Sequence, residues 1–439
     1  VSRISQSSIP RSVSVGAVHG CYLSNWAVYR PAPHNIDADK IPTGLCTHIF
    51  YAFAAVNAAT FQAKLTDDWA DVGLKGIEKV NNYKKRSPGA KSLLSFGGAT
   101  ESDTGIYATL SADPSKINTF VTSAWALANQ YGFDGIDLDW EYPVAETKAN
   151  FVALVKALKA KSGGKLVTAA VTGAPPRIDL GYDVPSFASS LDYITVMAYD
   201  FHGIWDGKIG HQADYPDTIK AMQYWNQKGM PKTKILMGIG AYGRGWIANS
   251  CTPGAANNNA SPALPVTQQA GYAAFFEIDA MSGTTTQTSD GPYKLVTVNG
   301  QKVCYGFDDR NAVIKKMQYV KANGYGGAFT WTVDFDNAAF TIHTAMKDGL
   351  AGASPAPAPA PKPAPAPAPK PAPAPAPQPA PAPAPKPAPA PATGKCTDGQ
   401  MQANSNPKKY EQCLYGSWIV RDCPPGTVFD SATNNFKAA

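Results

Sequence analysis

The sequence predicts an α/β chain whose main body is a (β/α)8 barrel of the TIM type with an α+β insertion after strand seven, followed by a Pro/Ala-rich linker and a small cysteine-containing C-terminal domain. Three observations carry the barrel. Short apolar runs of strand length alternate with stretches of helical spacing, the order that builds a parallel sheet. Eight such units fit within about 330 residues, the scale of one closed barrel. Acidic and aromatic residues gather at the C-terminal ends of the runs, the face on which such barrels carry their sites.

Taken in order, residues 1–13 are polar and unpatterned and are expected to form a loose arm. Strands are expected over 15–23, 47–55, 91–96, 135–140, 165–171, 193–199, 235–242 and 327–333, each a short apolar run. Apolar residues at helical spacing mark 114–130, 147–161, 218–227 and 311–322 between them. The connection from about 243 to 308 is too long for a barrel loop and must be a subdomain, one wall of a cleft. Within it, 293–298 and 301–307 flank Asn299-Gly300, the strongest short signal for a tight hairpin. The triplet Asn259-Ala260-Ser261 is a formal glycosylation acceptor, discounted because Pro262 follows it. Across 354–393 the unit PAPAPAPK recurs, its last positions being Lys362, Lys370, Gln378 and Lys386. Alternating Pro and Ala holds an extended chain of roughly 3.1 Å per residue, so this linker could reach on the order of 120 Å. Residues 395–439 are too few for a large apolar core and are expected to lean on disulfides.

The fourth strand carries the chemistry. FDGIDLDWEYP, residues 133–143, places Asp137, Asp139 and Glu141 on alternate positions, so on a single strand all three carboxylates project to one face while Ile136, Leu138 and Trp140 take the other. Neighbouring acids raise one another's pKa. Packing gains nothing from confining them together. A Mg²⁺ or Ca²⁺ site is the alternative, but such ions usually take carboxylates from loops or with other ligands close by, and acid catalysis is the reading taken. No other His, Cys or carboxylate group has ligand spacing along the sequence, so neither a metal nor a cofactor is expected.

With 44% hydrophobic residues among 439, the chain can bury a substantial core, and no apolar run approaches a membrane span. The formal charge of +6 is concentrated late: residues 351–439 hold eight Lys/Arg against four Asp/Glu, which leaves +2 for the first 350. That balance is too even to argue for nucleic acid, and neither nucleic acid nor a membrane is expected as a partner. Seven cysteines offer two local pairs, Cys21 with Cys46 and Cys251 with Cys304, and a terminal cluster of Cys396, Cys413 and Cys423. Their placement suits an oxidising, extracytoplasmic setting. A start at Val1 rather than Met is what a removed or omitted leader would leave.

FDGIDLDWEYP resembles the signature of the glycoside hydrolase family 18 chitinases. GCYLSNWAVYR, THIFYAFA, SFGG, VMAYDFHGIW, MGIGAYGRGW and GGAFTWTVDFD match further stretches of that family in order and spacing, making 14–350 the catalytic domain. The resemblance implies a secreted, monomeric, metal-independent chitinase acting on chitin and chitooligosaccharides. It would cut β-1,4 bonds between N-acetylglucosamine units by a retaining, substrate-assisted route, in which the acetamido oxygen attacks C1 while Glu141 protonates the departing oxygen. Asp139 would orient the acetamido group with Asp137 beneath it, and Tyr22 and Ser95 match groups that hydrogen-bond Asp137. Tyr199 would hold the acetamido oxygen and Asp200 the reacting sugar. Trp331 would floor the sugar at the cleavage point, with Trp26 and Trp205 stacking sugars on either side of it. Phe53, Met197, Tyr242, Arg244 and Glu277 match further groove contacts, Glu277 on the looser stretch AGYAAFFEID. One departure stands out: Gly97-Gly98 is followed by Ala99 where many members carry Trp, so one stacking platform is missing.

The tail resembles a peritrophin-A type chitin-binding domain in YEQC, Gly416 and CPPGTVFD, with three cysteines where six are usual. The resemblance implies a pair of Cys396 with Cys413, leaves Cys423 over, and suggests a truncated module with Tyr410, Tyr415 and Trp418 as sugar contacts. Two rivals share the acid motif or the barrel. A chitin-binding lectin is disfavoured by the presence of Glu141, Asp139 and Tyr199, and an endoglycosidase on N-linked glycans by the insertion and the chitin-type tail.

Overall fold

The computed structural model describes residues 16–355 and, further on, 401–407, 409–414, 417–422, 427–430 and 435–438. The arm, the linker, Cys396, Cys423 and Tyr415 lie outside the described residues, as do the side chains of Cys413, Tyr410 and Trp418. The chain divides into two compact units, Val1–Pro359 and Ala360–Ala439.

In the first unit eight parallel strands close into a barrel: β1 (Val18–Ser24), β2 (His48–Val56), β3 (Lys91–Gly97), β4 (Gly135–Asp139), β5 (Leu166–Thr172), β6 (Tyr193–Met197), β7 (Ile235–Gly240) and β8 (Gly327–Trp331). β1 closes the ring by pairing with β8, Val18 opposite Gly327, and with β2, Gly20 opposite His48. Alternation divides each strand between two cores. Val18, Tyr22, Phe50, Leu93, Leu236 and Phe329 fill the barrel interior, while Ile136, Leu138 and Trp140 join the outer core under the helices. A Cβ on Gly20 would lie 2.8 Å from the Phe50 ring and 2.9 Å from the Phe329 Cβ, so a glycine there leaves room for those two side chains.

The helices form where capping and periodicity agree. Pro114–Gln130 is started by Asp113, whose side chain accepts from the Ser115 N–H, with Pro114 in the first turn. Its stripe of Ile117, Phe120, Val121, Ala124, Trp125 and Ala128 is buried against the barrel, the spacing of one helix face. Asp214 caps Tyr215–Gln227 and Asp309 caps Arg310–Ala322 in the same way.

Several strand ends differ from the sequence expectation, and two of these have a clear local cause. β4 stops at Asp139, and Glu141 lies beyond it because its N–H donates to Ser102 Oγ at 2.9 Å instead of to a neighbouring strand. β7 stops at Gly240, and the chain turns straight into Tyr242–Ile247, a strand of the insertion. That insertion is an antiparallel sheet ordered Tyr272–Ala274, Tyr242–Ile247, Gln301–Phe307, Pro292–Val298, Gly283–Gln287, with the helix Phe275–Ala280. The hairpin turns at Asn299 and Gly300 with φ of 50° and 78°, the paired positive values that a tight two-residue turn requires. Disulfides join Cys21 to Cys46 and Cys251 to Cys304, with Cα separations of 5.9 and 5.3 Å.

The second unit contains an antiparallel sheet of Met401–Ala403, Lys409–Leu414 and Ser417–Asp422, and a hairpin of Thr427–Asp430 with Asn435–Ala438. Among the described residues no helix is long and apolar enough to cross a membrane.

Candidate active site

Asp137 anchors the site from below. Inward positions of strands far apart in the chain converge on it: Tyr22 of β1, Ser95 of β3 and Thr168 of β5 donate their hydroxyls to its carboxylate at 2.8, 2.7 and 2.5 Å. These bonds favour the charged form, yet full burial outweighs them and pushes the Asp137 carboxyl up. Two residues on, Asp139 is 3% exposed, and its Oδ1 has no hydrogen-bond partner in the protein. Burial, then Glu141, then Asp137 hold the Asp139 carboxyl well above the usual carboxylate range. Glu141 sits half-buried over the pair. Burial first, with Asp200 and Asp103 adding, pushes its carboxyl up to about 7 against the pull of Tyr142 and the Ala99 amide.

β3 and β4 come close enough at this point to explain SFGG. A Cβ on Gly97, at φ 120°, would lie 2.0 Å from the Asp139 carbonyl oxygen, and one on Gly98, at φ 84°, 2.6 Å from the Phe53 ring. The Gly98 N–H donates to that same carbonyl at 2.9 Å. Any side chain here would push the acid strand away.

Aromatic rings wall the space above the acids. Trp331 lies 5.6 Å from Tyr22, 5.6 Å from Phe53 and 6.4 Å from Trp26. Tyr199 meets Tyr242 and Phe329 edge-on at 5.9 and 6.2 Å. From the insertion, Arg244 donates through Nε to Asp200 Oδ1 at 2.8 Å. Asp200 holds a left-handed φ of 57°, and its N–H donates to Gln212 Oε1 at 3.3 Å. Together these groups surround a cleft of about 630 Å³ that Tyr22, Trp26, Phe53, Met197, Tyr242, Arg244 and Trp331 line with Asp139, Glu141, Tyr199 and Asp200.

Two expected contacts fall elsewhere. Glu277 lies outside the cleft lining, and its carboxylate accepts from the N–H groups of Val266, Thr267 and Ala274 at 3.0, 3.2 and 3.1 Å and from the Thr267 hydroxyl at 2.8 Å. One donor is the N-cap Ala274 of the helix Phe275–Ala280 and the others come from Val266 and Thr267, and together they occupy both carboxylate oxygens. Trp205 stands exposed outside the cleft lining, and the Arg244 guanidinium covers its ring at 5.0 Å. Three residues that the sequence reading omits belong to the site. Thr168 is the third donor to Asp137; a polar residue at an inward position inside an apolar strand is its signal. Tyr142, directly after Glu141, lines the same cleft and pulls the Glu141 carboxyl down. Tyr272, from the same stretch as Glu277, stacks on Tyr242 at 4.7 Å and faces the Arg244 guanidinium at 4.9 Å.

An aromatic groove over a stacked set of acids, at the C-terminal face of a (β/α)8 barrel, is the arrangement of a glycosidase-type barrel protein. Residues 18–336 match the Glycosyl hydrolases family 18, and the chain belongs to that family. Residues 393–435 match the Chitin binding Peritrophin-A domain. Among similar proteins, a "Probable endochitinase" of Caenorhabditis elegans is 39% identical over 367 residues, 76% of this chain and 59% of its own length. An "Endochitinase" of Brugia malayi is 36% identical over 356 residues, 73% of this chain and 69% of its own. The chain thus spans about three-fifths of the first relative's length. A mutant of catalytic domain 2 of the Ostrinia furnacalis Group II chitinase, solved in complex with (NAG)5, is 31% identical with a TM-score of 0.71, covering 78% of this chain and 98% of that one.

Proposed function

We propose that this protein is a chitinase that hydrolyses β-1,4 linkages between N-acetylglucosamine units with the substrate's own acetamido oxygen as nucleophile. The observation that carries the reading is the pairing of a buried, partnerless acceptor, Asp139 Oδ1, with a proton donor beside it whose carboxyl is pushed up to about 7. An acetamido N–H on Asp139 would satisfy that acceptor and turn the carbonyl oxygen toward C1, with the Tyr199 hydroxyl steadying it. The glycosidic C1–O bond then breaks as Glu141 gives its proton to the leaving oxygen and the acetamido oxygen closes on C1. The Asp139 carboxyl faces the positive ring so formed, and that charge favours its ionised form against the burial that otherwise raises it. Water then attacks C1 with Glu141 taking its proton, the bond from C1 to the acetamido oxygen breaks to restore the acetamide, and the β configuration is retained. The aromatic wall and Trp331 suit the apolar faces of pyranose rings. The family match, the two endochitinase relatives and the (NAG)5 complex of the Ostrinia protein favour chitin as the substrate. The two disulfides suit secretion.

The test is a comparison of acetylated and deacetylated substrate. Chitin oligomers should be cut with the β anomer formed first, and fully deacetylated chitosan should be left intact. Cleavage of chitosan, or α product seen by NMR before mutarotation, would exclude the acetamido nucleophile. The pH profile adds a second check. Glu141 donates only while protonated, so kcat/KM should decline as pH rises through about 7. A profile flat to strongly alkaline pH would remove Glu141 from that role.

The tail is proposed to hold the barrel on solid chitin. Tethered binding raises local concentration only on a substrate with many sites. Truncation just past Gly352 should lower the rate on insoluble chitin several-fold and leave that on short soluble oligomers nearly unchanged. Equal losses on both would mean that the tail supports the barrel instead.

A further inference from the structure

Away from the acids, one cluster of ligating side chains keeps an unmet polar atom. His202 lies in the loop after β6, two residues past Asp200, and its Nδ1 is 2.6 Å from Asp206 Oδ2. With Nδ1–H donating to that carboxylate, the Nε2 lone pair is presented on the far side of the ring. There it finds Asp214 Oδ2 at 3.7 Å and Asp217 Oδ2 at 3.9 Å, both too long for hydrogen bonds. Asp214 is 6% exposed, and its Oδ2 is buried with no hydrogen-bond partner. Its other oxygen is occupied, accepting the Asp217 N–H at 2.8 Å to cap the helix Tyr215–Gln227. The cation acting on Asp214 besides His202 is Lys316, whose ammonium is already bonded to Asp308 and the Ala213 carbonyl.

We propose that His202 Nε2, Asp214 Oδ2 and Asp217 Oδ2 form a zinc site, with Asp206 orienting the imidazole from behind. The three ligand atoms lie within 4.8 Å of one another. Zn²⁺ bound at about 2.0–2.1 Å sets neighbouring ligands of a tetrahedron about 3.4 Å apart, so the 3.7 and 3.9 Å from His202 need to close by a few tenths of an ångström, and the two carboxylate oxygens, within 4.8 Å of each other, by at most about 1.4 Å. One imidazole with two carboxylates suits a transition metal better than calcium, and a carboxylate behind the ligating imidazole is the usual supporting partner. The Asp217 side chain is 41% exposed, which leaves an entry path and a fourth position for water. The sequence could not display this group as a motif, because residues 202, 214 and 217 become neighbours only when the loop folds back on the helix start. The ion would clamp the loop that carries Asp200 and Trp205 and takes no part in the acid chemistry.

The experiment uses the full chain, stripped with EDTA, dialysed and titrated with ZnCl2 by calorimetry. The wild type should take up one equivalent in the micromolar range or tighter, and its thermal midpoint should rise with zinc. His202→Gln should abolish that uptake, and Asp217→Asn, which keeps the N–H that Asp214 accepts, should weaken it at least tenfold. Asp206→Asn should weaken it by about 10–100-fold. Turnover of soluble oligomers should persist in EDTA. Absence of zinc uptake by the wild type would overturn the site, as would uptake unchanged in the variants, which would place the ion elsewhere. Should His202→Gln fail to fold, Asp217→Asn decides, its metal-free midpoint being compared with that of the metal-free wild type.

Discussion

Glu141→Gln is expected to lower turnover of N-acetylglucosamine oligomers by about 10²–10⁴-fold while oligomer affinity stays within a few-fold of wild type. The amide has the shape of the acid and no proton to give. The cleft that holds the sugar is built by other residues, chiefly Trp331, Phe53, Tyr199 and the Asp200–Arg244 pair, so binding should survive. A proton donor leaves a further signature: an aryl glycoside whose phenol leaves without protonation should lose far less rate than a natural oligomer. Equal losses on both substrates would point to a positioning defect, and a wild-type rate would show that Glu141 is not the acid. The neighbouring carboxyl sharpens the contrast. Asp139→Asn removes the buried acceptor's charge but not the proton donor, so its losses should be of similar size on aryl and natural substrates.

Asp308→Ala should destabilise the barrel by about 3–5 kcal/mol, the cost of leaving a buried charge without its partner. The Lys316 ammonium and the Asp308 carboxylate are each 1% exposed and lie 2.5 Å apart. Lys316 also donates to the Ala213 carbonyl at 2.6 Å, so the pair fastens the chain as it returns from the insertion to the loop ahead of Tyr215–Gln227. Near it, burial and the Lys316 charge hold the imidazole of His211 down to about 3. A second substitution distinguishes the buried charge from lost packing. Lys316→Met in the Asp308→Ala background removes the stranded ammonium and should recover most of the stability. Urea unfolding followed by tryptophan fluorescence reads both steps. A loss under about 1 kcal/mol in the single variant, or no recovery in the double one, would mean that the pair is hydrated in solution and carries little.

Much of this architecture was legible locally. Period-two alternation in FDGIDLDWEYP assigned Asp137 and Asp139 to one face and Ile136 and Leu138 to the other, because side-chain direction in a strand follows from backbone geometry alone. Asn299-Gly300 announced its hairpin for the same kind of reason: two consecutive positive φ values are affordable to few residues. What alternation leaves open is the partner across the barrel. Tyr22 reaches Asp137 over 115 residues, Ser95 over 42 and Thr168 over 31, and only closure of the ring makes them neighbours. The same holds for Arg244 on Asp200, which depends on how the insertion sheet is set against β6.

Glu277 and the His202 group show two ways in which tertiary contacts go beyond such a reading. A carboxylate is claimed by whichever donors are nearest, and three backbone N–H groups beside Glu277 satisfied it before the cleft could use it. His202, Asp214 and Asp217 carry no spacing signal, yet folding brings their ligand atoms within 4.8 Å of one another. By itself, then, the sequence determined the strands, their faces, the acid triplet and the change of composition at the linker, all of which rest on interactions within a few residues. Tertiary structure alone decided which polar atoms are satisfied and which remain open, because a hydrogen bond or an ion contact depends on distances between segments that local preference does not specify.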